Sequence, residues 1–135
     1  MENKEGLIWY NGDFIDWKDA KLHVLTHGLH YASSVFEGER SYSGRIFKLH
    51  EHTERLFFSA SELDFDIPYS IEEIKTACYS TLEKNNLVDA YIRPIAWRGA
   101  ETVGVSAQNT KIHCAIAVWE WPSYFSPEDK LKGIR

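Results

Sequence analysis

The sequence predicts an α+β domain in which two helices pack against a mostly antiparallel sheet. Three observations carry that expectation. Short apolar runs of strand character lie at both ends of the chain, two stretches of helical spacing lie between them, and turn residues bound most of the runs.

The elements follow in order. Residues 7–17 read as a hairpin, with LIWY and FIDW flanking Asn11-Gly12-Asp13, and Asn-Gly is a strong turn signal between apolar runs. Residues 22–25 read as a short extended piece leading into a compact turn over 27–31. Residues 34–42 and 46–49 form a second hairpin around Ser43-Gly44-Arg45. Over 50–63, Leu56, Phe57, Ala60 and Leu63 recur at helical spacing. A break at 66–69, carrying Pro68, precedes a second helix, where Ser70 and Glu73 make a capping box. Its buried stripe is Ile74, Ala77, Cys78 and Leu82, and it frays near Asn85-Asn86. Two more strands, 90–97 and 112–121, flank the polar, Gly-containing loop 99–110. These elements make up a first domain over 1–121. Residues 122–132, with two prolines and two serines, read as a linker, and 133–135 as the start of a second domain.

Composition narrows the function. At 135 residues and 44% apolar content, the chain has the size and apolar share of one globular domain. Its net charge of −5 comes without a basic block, which argues against nucleic acid and against a polybasic membrane anchor. No apolar run approaches the roughly 18 residues of a spanning helix, and the polar N-terminus lacks the apolar stretch of a signal peptide. Cys78 and Cys114 sit in apolar-periodic segments and read as buried free thiols of a cytoplasmic protein.

Strand alternation puts Phe36, Gly38, Arg40 and Tyr42 on one face of residues 34–42, with Val35, Glu37 and Glu39 on the other. An aromatic ring beside a residue without Cβ suits a flat ligand, and equally suits a core ring beside a bulge. Arg55 interrupts an apolar helical stretch. Its guanidinium suits a phosphate, and Glu51 at i−4 offers the alternative of a surface ion pair. Tyr91 and Arg93 share a strand face, a phenol and a guanidinium suited either to a carboxylate or to an exposed cross-strand pair. His23, His27 and His30 recur at four and then three residues, as some zinc ligands do. No Cys or carboxylate completes a set, so the histidines read as structural, with a metal-binding protein as the remote alternative.

The stretch 27–40, HGLHYASSVFEGER, followed in order by EHTERL (51–56) and AYIRP (90–94), resembles the N-terminal signature of the branched-chain amino acid aminotransferases, pyridoxal phosphate (PLP) enzymes of fold type IV. The likeness runs from Trp9-Tyr10-Asn11-Gly12 through the linker. It implies that Arg55 binds the PLP phosphate and that Phe36, with Gly38 and Arg40, lines the substrate pocket. It also implies that Tyr91 serves the α-carboxylate end and Arg93 the distal carboxylate of glutamate. Tyr31 and Val105 would reach a neighbouring subunit's site in a homo-oligomer, and Tyr124 would close over the pocket. The implied reaction is reversible amino transfer between leucine, isoleucine or valine and 2-oxoglutarate, with glutamate and the branched 2-oxo acids as its other partners.

Two residues depart from the pattern: Ala32 stands where Gly is common, and Glu39 where an apolar residue is usual. Family members are longer than this chain, and their Schiff-base lysine lies in a second domain after the linker. The resemblance therefore implies an N-terminal portion with no catalytic residue of its own, inactive alone and weak in PLP binding. A stand-alone binding or regulatory module of the same fold is the other reading.

Overall fold

The computed structural model describes residues 4–121 and 125–133. Seven strands form one sheet: β1 (Leu7–Tyr10), β2 (Asp13–Asp16), β3 (Ser34–Phe36), β4 (Glu39–Tyr42), β5 (Arg45–Ile46), β6 (Ala90–Arg98) and β7 (Ile112–Trp119). The helices are α1 (His27–Tyr31), α2 (Leu49–Glu62), α3 (Ile71–Lys84) and α4 (Pro127–Lys132). The sheet runs β2-β1-β7-β6-β4-β5, with β3 also on β6, and every recorded pairing is antiparallel. The α+β class with two packed helices is thus what the sequence predicts.

Strand β6 organises the sheet. It pairs with β7 along its length on one side, and with β3 and then β4 on the other. Ala90, Ile92, Pro94 and Ala96 are buried, while Tyr91, Arg93 and Ile95 are half-buried. The buried face meets Leu49, Leu56 and Ala60 of α2 and Ile74, Ala77, Cys78 and Leu82 of α3, forming the main core. Helix α3 starts with the expected capping box: Ser70 Oγ accepts from the Glu73 N–H, and the Glu73 carboxylate accepts from the Ser70 N–H at 2.7 Å. Both cysteines are buried free thiols, and burial pushes the Cys114 thiol up to about 12.

Several expectations are revised. Residues 22–25 form no strand, and 27–31 are a short helix rather than a bare turn. The second strand of the 34–49 hairpin is only the two residues of β5, because helix α2 already begins at Leu49. The single strand expected over 34–42 is divided at Glu37-Gly38. The cause lies across the sheet: the Glu37 N–H donates to the Pro94 carbonyl (2.9 Å), but Pro94 has no N–H to return. The ladder lapses there and resumes at Glu39↔Ile92. Strand β7 ends at Trp119, two residues short of expectation. Within the stretch read as a linker, Ser126 caps α4 by accepting from the Asp129 N–H. No helix among the described residues is long and apolar enough to cross a membrane.

Glu39 occupies the core side of β4 at 2% exposure, and neither carboxyl oxygen has a hydrogen-bond partner. Burial, with the nearby Glu37 charge, pushes its pKa from 4.5 to about 8. The folded state therefore holds a proton that the unfolded chain releases, and stability falls as pH rises from about 4.5, levelling off above about 8. At pH 7 the cost is on the order of 3 kcal/mol. Glu39→Leu is expected to raise the unfolding free energy at pH 7 by about 2–3 kcal/mol and to flatten its pH slope. Urea melts at pH 5, 7 and 8.5 measure this, and equal slopes in both proteins would contradict it.

Candidate functional site

The sheet face away from α2 and α3 carries Phe36, Gly38, Arg40, Tyr91 and Arg93, while Arg55 sits on α2 itself, and strand register decides which of the strand residues meet. Phe36 is opposite Ile95 and Arg40 is opposite Tyr91, so the outward residues of β3 and β4 adjoin those of β6. Phe36 is 58% exposed, and the Arg93 guanidinium lies over its ring at 4.3 Å. Arg93 Nε and Nη2 donate to the Tyr91 hydroxyl at 3.1 and 2.7 Å, leaving Nη1 outside the pair. The Tyr91 ring packs against both Trp119 (4.8 Å) and Trp121 (4.6 Å), which stack on each other at 5.5 Å. Arg40 donates both Nη groups to the Trp121 carbonyl, at 3.1 and 3.2 Å.

Gly38 lies beneath this cluster. A Cβ there would overlap the Tyr91 hydroxyl and come within 3.2 Å of Cζ. The glycine is therefore required by the seating of Tyr91, and the bulge reading of residue 38 becomes a steric one.

Arg55 does not pair with Glu51, which bonds Lys48 instead (2.5 Å). Its Nε and Nη2 donate to the two oxygens of Glu37 at 2.6 and 2.7 Å, and His52 Nδ1 meets the same carboxylate at 2.8 Å. Glu37 is 4% exposed. Burial alone would raise its pKa, but the bonds and charges from Arg55 and His52 outweigh that and bring it below the ordinary value. The pair thus stabilises the fold at neutral pH, and that contribution is lost as pH falls through the lowered value. Arg55, 63% exposed along its side chain, keeps Nη1 and its two N–H donors outside the pair. Such an exposed edge of a fixed guanidinium suits a phosphate.

Tyr31 (47% exposed) and Val105 (80% exposed) lie elsewhere, at the Trp97–Gly99 end of β6. About four strand residues, or roughly 13 Å, separate that end from Arg93. Tyr124 lies outside the described residues. Among the described residues no group of three or more His, Cys, Asp or Glu is placed to hold a metal. His23 Nδ1 accepts from the Leu25 N–H, His27 meets Ser33, and His30 Nε2 donates to the Val24 carbonyl. Sequence reasoning missed Glu37, His52 and the tryptophan wall. The buried side of the strand alternation was the available signal for Glu37.

The face under α2 and α3 forms the main core, and the opposite face carries Arg40 and Arg93 among aromatic rings, beside a smaller core around Ile8, Trp97 and Ala115. The chain belongs to the amino-transferase class IV family, whose model matches residues 34–134. It is 45% identical to the branched-chain-amino-acid aminotransferase of Pseudomonas aeruginosa over all of this chain and 45% of that protein. The crystal structure of the Escherichia coli branched-chain amino acid aminotransferase is 40% identical and superposes with a TM-score of 0.86, over 93% of this chain and 43% of that one. A second crystal structure, the T.th. branched-chain amino acid aminotransferase complexed with N-(5'-phosphopyridoxyl)-L-glutamate, is 42% identical with a TM-score of 0.83, over 87% of this chain and 42% of that one. The chain thus spans less than half the length of the relatives it matches.

Gly38→Ala is expected to displace Tyr91 and Arg93, change the near-UV circular dichroism of the Tyr91–Trp119–Trp121 cluster, and cost roughly 1–3 kcal/mol. The same change made in a Tyr91→Ala background should cost almost nothing. An equal cost in both backgrounds would contradict the steric account.

Proposed function

We propose that this chain is the N-terminal part of a PLP-dependent branched-chain amino acid aminotransferase. On this reading residues 1–121 are its small domain, 122–132 its interdomain linker and 133–135 the start of the domain that carries the covalent lysine. The reaction is amino transfer between leucine, isoleucine or valine and 2-oxoglutarate, in the cytoplasm. The observation that carries the reading is the meeting of Phe36, Tyr91 and Arg93 on the open face above Gly38. Kinship with named branched-chain aminotransferases supports it.

Arg93 explains how one pocket takes two kinds of side chain. With an apolar substrate its charge stays satisfied by the Tyr91 hydroxyl and the Phe36 ring, so no bare cation faces hydrocarbon. With glutamate or 2-oxoglutarate, Nη1 supplies a charge-assisted bond to the distal carboxylate. Phe36 and Gly38 form the apolar floor, and Arg40 and Tyr91 bound the α-carboxylate end. Arg55, braced by Glu37, would hold the cofactor phosphate through Nη1. PLP, when bound, supplies the electron sink for amino transfer. The lysines with recorded partners, Lys18, Lys48, Lys75 and Lys84, face Asp16, Glu51, Glu72 and Phe14, away from the cluster. On this reading the lysine that forms the covalent link belongs to the second domain, and this chain alone has no transaminase activity and weak PLP binding. Tyr31 and Val105 are assigned to the neighbouring copy's site in a homo-oligomer. The exposed Val24, Leu25, Leu29 and Val103 around them support that contact surface.

The test joins this chain to the C-terminal portion of the Pseudomonas aeruginosa relative. The chimera is expected to transfer the amino group of leucine to 2-oxoglutarate, while the 135-residue chain with added PLP transfers none. In the chimera, Arg93→Gln should lower kcat/KM for 2-oxoglutarate by roughly 10- to 100-fold and spare 4-methyl-2-oxopentanoate. A folded, PLP-loaded chimera without activity, or equal losses for both oxo acids, would contradict the reading.

A further inference from the structure

His27 joins two segments that the sequence keeps far apart. It is 4% exposed at the start of α1, where its N–H donates to the Gly99 carbonyl at 2.9 Å. Its ring lies 4.5 Å from the Tyr31 ring, centroid to centroid. Nδ1 is 2.6 Å from Ser33 Oγ, and Nε2 is 3.4 Å from the Val105 carbonyl. A carbonyl only accepts, so Nε2 carries the proton directed at Val105, and Nδ1 is left to accept from the Ser33 hydroxyl. The Ser33 carbonyl in turn accepts from the Arg98 N–H at 3.1 Å, tying the arrangement to the end of β6.

The loop after β6 is anchored at its far side by Arg98, whose Nη1 donates to the Ala107 carbonyl at 3.1 Å. Beside Val105, Gly104 adopts φ +148° in open space. The long bond from His27 is the recorded tie at Val105 itself among the described residues. A weak bond at an exposed loop matters most where its donor is rigid, and the His27 ring is held by Ser33, by Tyr31 and by burial.

We propose that His27 is a positioning residue that couples Tyr31 and Val105 into one unit, so that both enter a neighbouring copy's site in fixed relation. The inference rests on the reading of Tyr31 and Val105 as residues that serve such a site. Tyr31 is set by its tilted ring contact with the imidazole and Val105 by the hydrogen bond from its far nitrogen. Loosening the imidazole therefore loosens both.

Amide hydrogen exchange on the full 135-residue chain tests the coupling. His27→Phe keeps a flat ring beside Tyr31 and removes both side-chain bonds. It is expected to speed exchange about tenfold or more at 29–32 and 104–107 together, with β6 and β7 unchanged. His27→Gln places a carboxamide donor toward Val105 and should restore protection at 104–107. If His27→Phe does not fold, Ser33→Ala, which frees Nδ1, should loosen the same two segments. Unchanged exchange at 104–107, change at only one segment, or equal loosening of β6 would overturn the coupling. The two-domain chimera separates this from the underlying reading. A higher KM for leucine with kcat little changed in His27→Phe supports both. Coupled exchange with unmoved KM upholds the coupling and removes Tyr31 and Val105 from the substrate site.

Discussion

Strand β6 is packed under two helices on one face and carries Tyr91 and Arg93 on the other, and the placement of the candidate site depends on that asymmetry. Ala90, Ile92, Pro94 and Ala96 are packed under α2 and α3, which fixes the rotation of the strand about its axis. With that rotation fixed, Tyr91 and Arg93 can only point the other way, toward Phe36 and Arg40 across the register. A slip of one residue would place a guanidinium in the core and an isoleucine in the pocket. The packing of the helices thus acts on the chemistry from a distance, because it sets which side chains are available to a ligand.

The guanidinium groups of the candidate site are already partnered. Arg93 has the Tyr91 hydroxyl and the Phe36 ring, Arg40 has the Trp121 carbonyl, and Arg55 has Glu37. Each is held in place before a ligand arrives, so little conformational entropy remains to be lost on binding. Donors remain for a guest, Nη1 of Arg93 and Nη1 of Arg55, and these are the atoms the proposed function uses. Glu39 is the counterexample on the core face. It has the burial of Glu37 without any of its partners, at a position where an apolar side chain would serve the packing better.

Local patterns made much of this legible in the sequence. Alternation put Phe36, Gly38 and Arg40 on one strand face and Tyr91 with Arg93 on another, without saying which faced the core; Asn11-Gly12 marked the first hairpin, and Ser70 with Glu73 marked the start of α3. Pairings between distant segments were not legible. The break at Glu37-Gly38 arises from Pro94 on another strand, and Arg55 passes over Glu51, one helical turn away, for Glu37 on β3's outlet. The link from His27 to Val105 likewise spans separate elements, so no periodicity announces it. Residues 22–25, expected as an extended piece, have no neighbouring strand to pair with, and Val24-Leu25 form a turn.

The most direct test of the account is a crystal structure of the two-domain chimera trapped with N-(5'-phosphopyridoxyl)-L-leucine. The phosphate is expected against Arg55 Nη1 with the Glu37 pair intact, and the leucine side chain on Phe36 with Arg93 still bonded to Tyr91. An adduct whose phosphate is held without Arg55, or whose side chain leaves the Phe36–Gly38 floor uncovered, would contradict it.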